Sequence, residues 1–262
     1  MIRYPSINQY RDAIKNVKFR SSWVGRDEDG TNIFDETIPM PVLEYEGTVK
    51  LHGTNASIVF NCQTEELVYQ SRERELTLGR DNAGFMLVMK QYEDVFISFF
   101  RSIRDTLDIG SDSIVAYGEW CGSGIQKGVA LSELPKMFVI FNIKLVSNGI
   151  GVWYKLNNFN PEDRNILHDV GIKFIDEFPT YKISIDFSRP DRSQQELIDI
   201  TNQVEEECPV GKKFFNSMNG ATVWLEDGKV CSDATLTEEV RQRCADVLKL
   251  DLNSGSSIKL SF

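Results

Sequence analysis

The residues best equipped for chemistry sit in one hexapeptide, Lys50-Leu-His-Gly-Thr-Asn55. β-type runs flank it, Thr48-Val49 before and Ser57 to Phe60 after. A lysine at the end of an apolar strand and against a glycine turn stands where desolvation would favour the neutral, nucleophilic amine. For an arbitrary lysine, a solvated surface hairpin is the commoner outcome. Residues further along set this one apart. The strand pattern Leu67 to Gln70 runs into Ser71-Arg72, and Ile114 to Trp120 carries Glu119 at its end. A glycine-rich loop, Cys121 to Gly128, follows, and then the nearly continuous apolar run Phe138 to Lys144.

The elements that must position these residues alternate between strand and helix patterns. Ile7, Tyr10, Ile14 and Val17 predict an amphipathic helix over residues 6–20, with Ser6 as its N-cap. The polar stretch from Arg20 to Pro41 predicts a loop or short hairpin leading to the strand that ends at Lys50. Asp81-Asn-Ala-Gly84 predicts a cap, and the helical period from Phe85 to Leu107 one long core helix. The Phe138–Lys144 run predicts a strand buried on both faces. Further helices are expected near 162–170 and 193–207. Asp227-Gly228 predicts a tight hairpin turn within Gly220 to Cys231, and Thr235-Leu-Thr-Glu238 a capping box opening a last helix. This order predicts an α+β fold with mixed or antiparallel sheets.

Composition narrows the class. The chain has 262 residues, 41% hydrophobic and 26% charged, which suits a globular protein. No apolar run approaches a membrane span, and the first residues lack a signal-peptide core. Five scattered cysteines without a CxxC pair read as reduced thiols in a cytoplasmic protein. The formal charge of −10 is not the basic surface a nucleic-acid binder usually shows, and it leaves room only for a local basic cleft.

Lys50-Leu-His-Gly-Thr-Asn55 resembles the nucleophile motif of the phage-type RNA ligases, the RNA ligase 2 group of the covalent lysine nucleotidyltransferases. Ser71-Arg72, Tyr117-Gly118-Glu119, Gly124-Ile-Gln-Lys127 and the Phe138–Lys144 strand follow in the family's order, over roughly residues 1–225. The resemblance implies a DNA/RNA ligase-like nucleotidyltransferase fold, unrelated to ATP-grasp, with two mainly antiparallel sheets and flanking helices. Family members carry a further C-terminal domain that helps recognise RNA. Here about forty residues follow Trp224, so one adenylyltransferase-like domain over residues 1–262 is expected, without a separate C-terminal RNA-binding domain. The resemblance also implies ATP and Mg2+ (or Mn2+) as cofactors and RNA ends, a 5′-phosphate and a 3′-hydroxyl, as partners. The location would be the cytoplasm, that of the host if the chain is phage-encoded. Lys50 would take AMP from ATP and pass it to an RNA 5′-phosphate for end joining. Arg72, with Arg74 as the alternative, would contact ribose or phosphate through its planar fork. Glu119 would bind the ribose and Asn55 the nucleotide or phosphate. His52 would be a structural hydrogen-bonding side chain. Phe141 or Phe138 would stack on adenine, and strand alternation does not decide between them.

The chain departs from the family pattern in two places. Gly220 stands where the fourth motif has a metal-supporting glutamate. Thr235 and Thr237 stand opposite, where the fifth motif has a Lys-x-Lys pair. Electrostatic stabilisation of a transferring phosphoryl group is a large catalytic term. These departures therefore define an alternative: a ligase-like module that binds a nucleotide or a protein partner, or that transfers the nucleotide to a non-RNA acceptor.

Overall fold

The computed structural model describes residues 1–107, 110–159, 161–213, 223–226, 229–232 and 258–261. In chain order they form α1 (Tyr10–Ser22), β1 (Trp23–Arg26), β2 (Asn32–Phe34), β3 (Val42–Val49), β4 (Gly53–Asn61), β5 (Leu67–Ser71), α2 (Phe85–Met89) and α3 (Glu93–Leu107). Then come β6 (Ser113–Cys121), β7 (Met137–Ser147), β8 (Ile150–Tyr154), α4 (Pro161–His168), β9 (Lys173–Phe174), β10 (Thr180–Asp186) and α5 (Pro190–Glu206). The last are β11 (Val223–Glu226), β12 (Lys229–Ser232) and β13 (Ile258–Ser261). The fold is α+β with mainly antiparallel sheets and flanking helices, as expected.

The chain divides into two compact units. The first comprises Met1–Tyr4, Val49–Pro179 and Val204–Ser257. Its sheet runs β5-β4-β6-β7-β8, antiparallel throughout, with β9 added parallel to β7. Alternation sends Ile58, Phe60, Trp120 and Phe138 to one face. There α2 and α3 bring Phe85, Phe96, Phe99 and Phe100, all fully buried. Phe100 stacks on Phe60 at 5.4 Å, and Phe85 meets the edge of Phe138 at 4.9 Å. The expected single helix is broken into α2, a 3-10 turn at Lys90–Tyr92, and α3. Its start is as expected: Asp81 Oδ1 accepts from the Met86 N–H at 2.9 Å and Oδ2 from the Leu87 N–H at 3.0 Å.

The second unit comprises Pro5–Thr48, Thr180–Gln203 and Ile258–Phe262. Its sheet runs β10-β3-β13, with Thr180 to Asp186 paired antiparallel to Thr48 to Val42. Tyr45, Ile183, Ile185 and Phe187 form the core, and Tyr10, Ile14, Val17 and Leu197 pack on it. The first helix begins at Tyr10 with Gln9 as its N-cap, not at Ser6. Ile7 is the reason: it is 50% exposed, so the buried stripe starts one turn later. The Arg20–Pro41 stretch holds the antiparallel hairpin β1–β2.

β11 and β12 pair with Glu226 opposite Lys229, the register expected of a two-residue turn. Gly220, Thr235, Thr237 and the expected last helix lie outside the described residues.

Candidate functional site

Every candidate site residue belongs to the first unit. β3 ends at Val49 and β4 begins at Gly53, so only Lys50, Leu51 and His52 lie between the strands. The two flanking runs do not pair with each other. β3 joins β10 and β13, whereas β4 joins β5 and β6. Leu51 is buried and His52 half-buried, which anchors the turn, but Lys50 is exposed. The desolvation expected of a strand-end lysine is therefore not supplied by the described residues. None of them forms an ion pair with Lys50.

β4 then places Asn55 directly opposite Glu119 of β6. Gly53 makes this approach close: a Cβ there would meet the Trp120 carbonyl oxygen and lie 2.9 Å from Glu119 Cγ. Any other residue would push the turn away from the glutamate. Gly118 is as tightly placed, with space for a Cβ denied by the Phe138 ring and the Val139 carbonyl oxygen.

Asn55, Ser57, Tyr117, Glu119, Val139 and Phe141 share the sheet face opposite the helices. Phe138 lies on the helix face, 1% exposed against Phe85. Of the two stacking candidates, Phe141 is the one on the Glu119 face, half-buried against Val59, Val115 and Tyr117. A bulge between Tyr117 and Gly118 adds Phe141 as the extra residue of β7. The segment Met1–Tyr4 crosses this face. Ile2 N–H donates to Gln70 Oε1 at 3.2 Å, Tyr117 O–H to the Ile2 carbonyl at 3.2 Å, and Tyr4 O–H to Asn142 Oδ1 at 2.8 Å. The Tyr4 ring meets Phe141, Tyr117 and Trp153 at 5.0–5.6 Å. Burial pushes the Tyr4 phenol up to about 12.

Arg72 does not join this group. It is exposed, with Glu73 at 4.0 Å as its ionic neighbour. Arg74 turns inward instead and donates to the Asp81 carbonyl at 3.2 Å. Its Nε is buried without an acceptor among the described residues. Two residues that sequence reasoning passed over hold the motif in place. Asn82 Nδ2 donates to Thr54 Oγ1 at 3.1 Å and to the Asn55 carbonyl at 3.4 Å. Gln126 Nε2 donates to the Gly53 carbonyl at 3.0 Å, which ties the glycine-rich loop to the turn. The signal was available: both are amides in turn-rich segments next to the expected motifs, one read as a cap and the other as loop.

Cys121, on the same face, is a buried thiol that donates to the Met137 carbonyl at 3.8 Å, and burial raises its pKa. It is structural and no nucleophile. Among the described residues, no cluster of three His, Cys, Asp or Glu side chains is placed to hold a metal ion. No helix among them is long and apolar enough to cross a membrane.

A family model for RNA ligases matches residues 43–210. The chain belongs to the RNA ligase family. Its matched segment runs from β3 to the residues just past α5 and contains all six candidate site residues. No curated protein sequence matches this RNA ligase family member. Among solved structures it is similar to Naegleria gruberi RNA ligase with PPi, at 14% identity and a TM-score of 0.45, over 75% of this chain and 47% of that one. A variant of the same protein with ATP and Mn is similar at 14% identity and a TM-score of 0.46, over 75% and 46%. The chain thus spans about half the length of the solved RNA ligases it matches.

Proposed function

We propose that this chain is an ATP-dependent RNA ligase-like nucleotidyltransferase, working as one adenylyltransferase-like domain with Lys50 as the AMP acceptor. The observation that carries the reading is the seating of Lys50-x-His-Gly-Thr-Asn55 against β6, with Asn55 opposite Glu119, inside the segment that matches the RNA ligase family.

In this reading, neutral Lys50 Nζ attacks the α-phosphorus of ATP. A P–N bond forms, the bond to the pyrophosphate oxygen breaks, and the amine proton leaves to solvent. An oxygen of an RNA 5′-phosphate then attacks the same phosphorus, the P–N bond breaks, and the lysine regains a proton. Attack by a 3′-hydroxyl on the activated 5′-phosphate joins the ends and releases AMP. The residues present fit the sugar and base of ATP. Glu119 accepts from the ribose hydroxyls, Asn55 orients the nucleotide, and Phe141 gives the adenine a rigid aromatic contact. Arg72 lies past the end of β5, next to the position of Asn55 in the register, and its exposed fork is available to phosphate. His52 keeps the turn in shape. Closure of the nucleotide over Lys50 would supply the desolvation that the lysine lacks. For the Mg2+ or Mn2+ that such a reaction implies, the described residues offer no group of three His, Cys, Asp or Glu side chains.

A second reading is favoured by the exposure of Lys50 and by Gly220: a nucleotide- or partner-binding module, or transfer to a non-RNA acceptor. One experiment separates them. The protein is incubated with α-labelled ATP and magnesium, and label is sought that survives denaturation. The ligase reading expects such label in the wild type and none in Lys50→Ala. Binding of ATP without an adduct overturns it in favour of the module. An adduct that never moves to 5′-phosphorylated RNA points to another acceptor.

A further inference from the structure

The second unit carries a surface that the nucleotide chemistry does not use. From Tyr10 to Phe34, the whole of α1 and the hairpin, the chain holds five cations, Arg11, Lys15, Lys18, Arg20 and Arg26, and four acids, Asp12 on the helix and Asp27, Glu28 and Asp29 at the hairpin tip. This is in a protein of formal charge −10. All five are exposed, and among the described residues none has an ion-pair partner. The core of the unit takes Tyr10, Ala13, Ile14 and Val17 of α1. Helical spacing then puts Arg11, Lys15 and Lys18 on a single outward stripe, with Phe19 at its edge.

Aromatic rings continue the stripe. Phe19 is 48% exposed, and Trp23 and Phe34 are each 43% exposed. Phe19 meets Phe34 at 5.2 Å, and Trp23 pairs with Phe34 across the hairpin. Asn32 Oδ1 accepts from Trp23 Nε1 at 3.1 Å and from Arg26 Nε at 3.3 Å, which holds an indole and a guanidinium side by side. Neither β1 nor β2 has a buried residue. A two-stranded ribbon without a covered face gains little stability alone, so its shape suits a partner. Two of the nearby acids, Asp27 and Asp35, are turned to local duties, while Glu28, Asp29 and Glu36 stay exposed. Asp27 caps the backbone N–H groups of Asp29 and Thr31 at the hairpin tip, and Asp35 accepts from the Thr37 hydroxyl at 2.6 Å.

We propose that α1 and the β1–β2 hairpin form a binding surface for single-stranded RNA. The cation stripe tracks the phosphates, and Phe19, Trp23 and Phe34 offer faces on which bases stack. Charge complementarity selects this occupant: an unpaired cationic row on an acidic protein matches a polyanion, and exposed rings beside it match unpaired bases. The proposal rests on RNA being the substrate of the reading above, yet it concerns binding alone.

The test uses the full chain and a fluorescent oligouridylate of about 12 nucleotides with a 5′-hydroxyl, which cannot accept AMP. Binding is followed by anisotropy across a salt series. Joint substitution Arg11→Gln, Lys15→Gln and Lys18→Gln is expected to weaken binding about tenfold or more at low salt and to reduce the log–log salt slope by about 2. Phe19→Ala is expected to weaken it about fivefold or more with the slope unchanged. Label on Lys50, measured without RNA, is expected to stay at the wild-type level in both variants. Wild-type RNA affinity in both variants overturns the proposal. So does a change in oligomeric state on Phe19→Ala without a change in RNA binding, which would assign the surface to protein contacts. Absence of lysyl-AMP in the wild type itself would sink the nucleotidyltransferase reading and leave this binding result to stand or fall alone.

Discussion

The two faces of the β5-β4-β6-β7-β8 sheet are closed in different ways. On one, helices α2 and α3 press a continuous set of aromatic rings onto Phe60, Trp120 and Phe138. On the other, Asn55, Glu119 and Phe141 stand beside a four-residue strap held by hydrogen bonds to Gln70, Tyr117 and Asn142. The first face is apolar packing, whose worth scales with area removed from water. The second joins a smaller apolar cluster, Val59, Val115 and Tyr117 under Ile2, Tyr4 and Phe141, to polar groups whose role depends on geometry. Stability should therefore reside mainly in the helix face, and in the proposed reading nucleotide handling falls to the strap face.

The largest break in that contrast is Phe100→Ala. Phe100 is fully buried and stacks on Phe60. Its truncation leaves a cavity and is expected to cost about 3–5 kcal/mol, read as a lower urea midpoint. ATP affinity of the folded fraction should stay near wild type. Gly118→Ala comes next and touches both faces. The added methyl would lie 2.7 Å from Phe138 Cζ and 2.6 Å from the Val139 carbonyl oxygen. Overpacking of this kind costs about 1–3 kcal/mol. Because the strand that must shift carries Glu119, lysyl-AMP formation should fall by more than the loss of folded protein explains. Equal losses in both would show that the position of Glu119 is not critical.

The strap face yields a smaller effect of another kind. Tyr4→Ala removes ring contacts to Phe141, Tyr117 and Trp153, expected to cost about 2 kcal/mol. Tyr4→Phe removes only the bond to Asn142 and should cost about 1 kcal/mol or less. If Phe141 carries the adenine, Tyr4→Ala should raise the KM for ATP severalfold at unchanged turnover, and Tyr4→Phe should restore it. A turnover loss without a KM change would break the link between strap and base.

The same contrast marks how far the sequence could be read. Period and alternation revealed β4 to β7 and the helix-face core, because long apolar patterns report burial directly. The motif order led to Asn55 and Glu119, which the register then set opposite each other. The separation of β3 and β4 into different sheets was not legible, since a short polar linker looks the same in a hairpin and in a crossover. β10 passed unforeseen, although Ile183, Ile185 and Phe187 alternate, because Pro179 and Pro190 bracket a stretch rich in polar residues. The strap was beyond reach for a different reason: Ile2 and Tyr4 carry no periodicity, and their partners lie 68 to 138 residues away. Arg74 shows the same limit. Of two arginines in one turn, only tertiary contacts decide which turns inward.

The smallest expected effect lies at the edge of the helix face, where Glu65 joins the β4–β5 turn to α3. Glu65 sits at φ 60°. Its Oε1 accepts from Arg101 Nε and from Arg104 Nη1, each at 2.9 Å. The hydrogen bonds from Arg101 and then Arg104 hold its carboxyl down to about 2. A carboxyl that titrates lower in the folded chain contributes stability above the unfolded glutamate range, and the contribution is lost as pH falls from there through about 2. Being at the surface, the clamp is screened by salt and its worth is small. Thermal midpoints measured at neutral pH and near pH 3 should therefore drop slightly less in Glu65→Gln than in the wild type. Raising the salt should shrink the difference. A variant that loses as much as the wild type on acidification would show that this clamp contributes nothing to the helix face, and that the aromatic core carries its stability alone.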